Sequence, residues 1–173
     1  MEAEATWPLA AAVGEALLAR NARLATAESC TGGWIAKVLT DIAGSSAWFE
    51  RGWVTYSNAA KQQDLAVPAA TLQAHGAVSE AVAVAMALGA LARSGAEFAV
   101  AVTGVAGPSG GTVAKPVGTV WTAWAWRTAE GAVSRAEVSR FAGDRNAIRQ
   151  QTVVFALNGL LGLLPAAEVG EIK

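Results

Sequence analysis

The sequence predicts a layered α/β fold built around a mixed sheet. Three observations point there. Helix-like segments stand at both ends of the chain and between the strand-like ones. Phe98–Val102 is an unbroken apolar run, as a strand buried on both faces requires. Two strand-like segments then follow one another with only a turn near Glu130-Gly131 between them. Such neighbours pair antiparallel, so the sheet is expected to be mixed rather than purely parallel.

The elements follow in chain order. Leu9 to Arg20 is rich in Ala and Leu and ends near Asn21, which predicts a helix. Ala22 to Ala27 reads as a short strand. Thr31-Gly32-Gly33 leads into a helix over Trp34 to Leu39. Gly52 to Tyr56 carries aromatic and β-branched residues and reads as a strand. Asn58 to Leu65 looks helical and stops before Pro68. Ser79 is an N-cap candidate, with Glu80 placed to meet the positive helix end. Ala81 to Arg93 is then a helix apolar almost all round, hence buried. Gly104 to Pro116 is a Gly-rich loop. Val117 to Trp126 and Ala132 to Phe141 are the two late strands. Asp144 is placed to cap a last helix, with Val153, Leu157, Leu160 and Leu164 at helical spacing.

Composition limits the chemistry. The 173 residues suit one domain, residues 1–173, with no linker, charge block or fixed-period repeat. Hydrophobic residues make up 53%, charged residues 16%, and the mean hydropathy is +0.35, which excludes intrinsic disorder. A net charge of -1 provides no broad basic footprint for nucleic acid. The apolar windows Ala81–Ala92 and Val153–Ala167 fall short of the roughly 18–20 residues that span a bilayer. The start of the chain lacks the basic residues of a secretory signal. A cytoplasmic protein without membrane contact is therefore expected. The chain has one His and one Cys, which cannot build an internal disulfide or a His/Cys zinc site. No metal and no cofactor are expected. The apolar composition and the tryptophans lead us to expect a homo-oligomer.

Four segments can carry chemistry. In Thr26-Ala-Glu-Ser-Cys-Thr-Gly-Gly33 a strand ends and a helix begins. Unpaired N–H groups at such a start could serve a nucleophile as an oxyanion hole. An ordinary N-cap on a strand-to-helix turn is the competing reading. Tyr56-Ser-Asn-Ala-Ala-Lys61 offers a lysine that becomes a general base if burial lowers its pKa by roughly 2–3 units. A solvated lysine is the alternative, and Ser57 is either a rival nucleophile or a cap. Thr103-Gly-Val-Ala-Gly-Pro-Ser-Gly-Gly111 follows the buried strand, where ligands of open α/β sheets sit. It is either a phosphate- or ribose-binding loop or a plain connection. Its formal G-x-S-x-G match is rejected, because a strand follows and His75 comes earlier. In Gly143-Asp-Arg145, Arg145 could pair with phosphate or be a surface charge beside the Asp144 cap.

Other residues read as structural. His75 looks like a turn residue. Cys30 is a nucleophile candidate only with His75 as its base, and a lone Cys is more often a small buried hydrophobe. Trp124 and Trp126 share one strand face and Trp121 the other, which suits core or subunit contact. Trp48, Phe49 and Trp53 could wall a pocket, with core packing the safer reading.

The order of these blocks carries a resemblance. Thr26–Gly33, Asp41-Ile-Ala-Gly-Ser-Ser-Ala-Trp-Phe49, Val54-Thr-Tyr-Ser-Asn58 and Lys61 come first. Gly76-Ala-Val-Ser79, Thr103-Gly-Val-Ala-Gly-Pro108, Lys115-Pro-Val-Gly-Thr119 and Phe141-Ala-Gly-Asp-Arg145 follow. From about Leu9 to Leu164 the chain closely resembles the C-terminal domain family of CinA, the nicotinamide-nucleotide amidohydrolases. The resemblance implies a three-layer α/β/α sandwich with a mixed central sheet. It implies hydrolysis of the carboxamide of nicotinamide mononucleotide (NMN) to nicotinic acid mononucleotide and ammonia, in pyridine-nucleotide recycling. It places Ser29 on the family's nucleophile, Lys61 on its base and Tyr56 on its assisting tyrosine. Cys30, Thr31, Gly32 and Gly33 would supply oxyanion N–H groups. Thr103, Gly104, Gly107 and Arg145 fall in motifs expected to hold the nucleotide. The pyrophosphatase-like domain of larger members has no counterpart in this sequence. The competing reading is a nucleotide-sensing or competence-associated interaction module without turnover, and a DNA-binding role ranks below it.

Overall fold

The computed structural model describes residues 2–165. Six α-helices and five strands follow in the order α1 Glu2–Ala19, β1 Leu24–Glu28, α2 Trp34–Thr40, β2 Phe49–Val54, α3 Asn58–Leu65, α4 Ala69–His75, α5 Glu80–Arg93, β3 Phe98–Gly104, β4 Thr119–Thr128, β5 Gly131–Arg140 and α6 Arg145–Leu163. The sheet order is β2-β1-β3-β4-β5. β1 runs parallel to both β2 and β3, while β4 pairs antiparallel with β3 and with β5. This is the expected mixed sheet with a helical layer on each face.

The two faces differ in bulk, and alternation along the strands makes the difference. Leu24, Phe98, Val100, Val102 and Trp124 point to one side and pack with α1, α2 and α6. Ala25, Ala27, Ala99, Ala101, Ala123 and Ala125 point to the other and pack with α5. A sheet face of alanines lets a helix rich in alanine settle closely on it. Trp124 is buried in the first core, and its indole N–H donates to the Ala156 carbonyl at 3.0 Å. Trp126 joins the same core and Trp121 the opposite one, so these tryptophans are core residues. Trp48 is also core, packed against Gly14 of α1.

The chain leaves β1 through α2 on one face to reach β2, then returns through α3, α4 and α5 on the other to reach β3. The connections therefore diverge between β1 and β3. A crevice opens at the carboxyl ends of strands at such a switch point. Ser29 and Thr103 stand on this edge, and the Ser29 N–H donates to the Val102 carbonyl at 3.0 Å.

Several boundaries differ from expectation. α1 begins at Glu2 and carries Pro8 inside it. β2 is Phe49–Val54 rather than Gly52–Tyr56, because its pairing with β1 starts at Phe49↔Leu24 and slips by one residue immediately after. A 3-10 turn at Ser45–Ala47 and the helix α4 were not anticipated. His75 is the last residue of α4, not a turn residue. The α4 sequence AATLQAH has only Leu72 buried, so it lacks an apolar stripe to signal a helix. The expected end of the apolar window at Ala167 and the tail after Pro165 lie outside the described residues.

Gly89 of α5 is a site of close backbone approach between helices. A methyl group there would stand inside contact distance of the Leu65 carbonyl, at the end of α3. Gly89→Ala should therefore destabilise the protein by about 1–3 kcal/mol, because a backbone carbonyl cannot swing aside as a side chain can. Urea denaturation measures this. Stability at or above the wild-type value would show that the helix-propensity gain of about 1 kcal/mol outweighs the clash.

Candidate active site

Ser29 is the first residue beyond β1 and is 9% exposed. Lys61 sits one turn into α3 and is 1% exposed. The sheet brings them together: the Lys61 amine lies 3.0 Å from the Ser29 hydroxyl oxygen. The amine also donates to the carbonyl of Thr55 at 2.7 Å and, more loosely, to that of Tyr56 at 3.5 Å. A neutral amine has two N–H donors and one lone pair. Two carbonyls, which can only accept, take the donors. The lone pair is then left for the Ser29 O–H.

Burial drives the same way. Desolvation holds the Lys61 amine below its ordinary value of 10.5. Among the described residues Lys61 makes no ion pair with a carboxylate that would keep it charged. Ser57, the rival nucleophile, caps α3 by accepting from the Ala60 N–H at 3.0 Å. Cys30 is buried, and its thiol is pushed up to about 12 by desolvation, so it carries no thiolate at neutral pH.

The turn from Ser29 to Gly33 is held by two charged residues. Glu28 is fully buried at the end of β1. One of its carboxylate oxygens accepts from the Thr31 hydroxyl at 2.6 Å, the Gly33 N–H at 3.1 Å and the Ile35 N–H at 3.0 Å. The other accepts from the Ala36 N–H at 2.8 Å. Burial raises the Glu28 pKa, and these four bonds pull it back. Glu28 thus does the work of a cap for α2, whose own N-cap residue, Gly33, has no side chain to offer.

The N–H groups of the turn are unequally engaged. The Gly33 N–H is taken by Glu28, and the Gly32 N–H by the Ser29 carbonyl at 3.1 Å. Among the described residues, the Cys30 and Thr31 N–H groups have no backbone or side-chain oxygen as acceptor.

From α6, Arg149 reaches the other side of the turn. Its Nε donates to the Cys30 carbonyl at 3.1 Å and its Nη2 to the Thr31 carbonyl at 2.7 Å. The guanidinium lies 5.2 Å over the Trp34 ring. Neither Glu28 nor Arg149 stood out in sequence as a site residue. The available signal for Arg149 was its place one helical turn after Arg145.

Arg145 joins three segments. Its Nη1 donates to the Gly107 carbonyl at 2.8 Å and its Nη2 to the Tyr56 hydroxyl at 3.0 Å. Asp144 caps α6 as expected, accepting from the Ala147 N–H at 2.8 Å. Tyr56 is 61% exposed, and its phenol faces Arg145. The Thr103 hydroxyl is committed to the Ala77 carbonyl at 2.9 Å. Gly104 is pressed against Thr119 and Val120 of β4, so it serves strand packing. A separate cleft of about 480 Å³ opens on the α1 and α6 side of the turn. Thr31, Trp34, Lys37 and Arg149 line it together with Trp7, while Ser29 and Lys61 do not.

Comparison with known proteins gives this geometry a family. The chain is 60% identical over 148 residues to the nicotinamide-nucleotide amidohydrolase PncC of Escherichia coli K12, covering 86% of this chain and 88% of that one. It is 57% identical over 155 residues to the protein of the same name from Pseudomonas putida, covering 90% and 94%. Among solved structures, the competence damage-inducible protein A (ComA) from Klebsiella pneumoniae superposes with a TM-score of 0.89 at 44% identity, covering 94% of this chain and 99% of that one. The CinA C-terminal domain model matches residues 6–164, nearly the whole described span. The chain belongs to the CinA C-terminal domain family.

Proposed function

We propose that this protein hydrolyses the carboxamide of NMN to nicotinic acid mononucleotide and ammonia, with Ser29 as nucleophile and Lys61 as base. The contact that carries the reading is the buried Lys61 amine 3.0 Å from Ser29 Oγ. The PncC names of relatives at 57–60% identity supply the substrate.

Neutral Lys61 accepts the Ser29 proton as Oγ bonds to the carboxamide carbon. The carbonyl oxygen takes up the negative charge facing the Cys30 and Thr31 N–H groups. The C–N bond then breaks. The departing nitrogen takes the proton back from the Lys61 ammonium and leaves as ammonia, which regenerates the neutral amine. Lys61 next removes a proton from water, whose oxygen bonds to the acyl carbon. The bond from that carbon to Ser29 Oγ breaks, and Lys61 returns the proton to Oγ, which releases the acid, free Ser29 and the neutral amine. Tyr56 assists at the mouth of the site, where Arg145 orients its phenol. The guanidinium of Arg145 has donors beyond the two in use, which suits it to the nucleotide phosphate. The Thr103–Gly107 strand end and loop form the adjoining wall. Placing the reaction in pyridine-nucleotide recycling follows from its substrate and product.

Ammonia release from NMN by the purified protein tests the activity. Ser29→Ala should lower turnover by roughly 10³-fold or more, and full turnover in that variant would remove Ser29 as nucleophile. Lys61→Arg introduces a permanent cation that cannot accept a proton, so turnover should fall by roughly 10²–10⁴-fold. Wild-type rates in Lys61→Arg would remove the base assignment. The pH profile has a defined sign. Acid protonates Lys61 and abolishes its lone pair, so kcat/KM should rise with pH through an inflection below 10.5, the ordinary lysine value. A rate that falls as pH rises from neutrality would contradict the neutral-amine base.

A further inference from the structure

We infer that Arg149 is a positioning residue for the amide hydrolysis: it fixes the peptide whose N–H receives the oxyanion. The inference rests on the Ser29/Lys61 reading and adds a part to it.

The peptide group is planar and trans, so its C=O and N–H point in opposite directions. The Cys30–Thr31 peptide has its carbonyl held by Arg149 Nε at 3.1 Å. Its N–H, that of Thr31, must then point away from α6. Lys61 arrives from the opposite helical layer, on α3, and Ser29 Oγ is turned toward it. The next carbonyl, that of Thr31, is held by Arg149 Nη2 at 2.7 Å, which directs the Gly32 N–H back to the Ser29 carbonyl at 3.1 Å. That bond in turn directs the Cys30 N–H outward. One guanidinium thus sets two peptides directly and a third through them.

Other chemistry at the turn agrees. Glu28 occupies the Gly33, Ile35 and Ala36 N–H groups, while within the turn from Ser29 to Gly33 those of Cys30 and Thr31 have no oxygen acceptor among the described residues. A permanent positive charge on the carbonyl side also polarises the peptide and strengthens its N–H as a donor. Lysine is a poor substitute, because a point ammonium lacks the rigid fork that meets two carbonyls at once. Stacking on Trp34 at 5.2 Å fixes the fork in place.

The test uses the full chain, with ammonia release from NMN as the assay and thermal melting as the fold control. Arg149→Lys retains the charge without the fork, and Arg149→Ala opens a space that methylguanidinium can enter. Full loss of an oxyanion donor costs about 10²–10³-fold in kcat, so misorienting one should cost roughly 10–100-fold. KM should stay within about twofold, because the oxyanion contact is made in the transition state. Methylguanidinium should restore part of the kcat of Arg149→Ala and leave Arg149→Lys unchanged.

Wild-type kcat in folded Arg149→Lys would overturn the inference. So would a raised KM at unchanged kcat, which would make Arg149 a ligand-binding residue of the adjoining cleft. Failure of methylguanidinium to raise the rate of folded Arg149→Ala would do the same. Should Arg149→Ala not fold, Arg149→Lys decides alone. A wild-type protein that releases no ammonia from NMN would instead fail the underlying reading, a distinguishable result.

Discussion

The site depends on one unfavourable placement, a lysine amine taken almost wholly out of water. A buried ammonium without a counter-charge is expensive, so the group sheds its proton instead. The fold permits this because the amine is not left unsatisfied. Thr55 and Tyr56, just beyond β2, present carbonyls to it, and Ser29 presents a hydroxyl. The same burial that costs stability lowers the amine's pKa and so supplies a base. Stability given up at a functional site in this way is a common trade.

Holding that placement falls to packing. α3 carries Lys61, and its end is seated on Gly89 of α5. α5 in turn rests on the alanine face of β1, β3 and β4. The bulky face of the same strands packs α6, which carries Arg145 and Arg149. One sheet with unequal faces therefore delivers base and arginines from opposite layers to the same strand edge. Ser29 stands between them on a turn whose remaining N–H groups and carbonyls are tied by Glu28 and Arg149. The two charges do different work. Glu28 replaces a missing helix cap, and Arg149 orients peptides.

Much of this was legible in sequence because local signals agreed with the global fold. Asn58–Leu65 formed a helix with the bounds read from its pattern, and Ser57, Ser79 and Asp144 cap their helices through their own side chains. The run Phe98–Val102 lies in the central strand β3. α4 was missed because seven residues with one buried leucine carry no periodicity. The start of β2 was misplaced because Phe49 and Glu50 pair across a register slip that only the partner strand sets. The block from Thr26 to Gly33 was recognised as a turn with free N–H groups, yet which of them are free depends on side chains that fill them. Glu28 consumes the Gly33 N–H, and nothing in a linear pattern says that a carboxylate will fold back on its own helix start. Arg149 lies 119 positions from Cys30, so its role exists only in three dimensions.

The central claim is that Lys61 is neutral when it faces Ser29. Nuclear magnetic resonance of protein labelled at the lysine side chains reports this directly, with Lys61→Arg assigning the resonance. The account predicts a Lys61 signal that passes to the neutral-amine range at a pH below the ordinary lysine value of 10.5. A Lys61 signal that remains that of an ammonium up to pH 10 would contradict it.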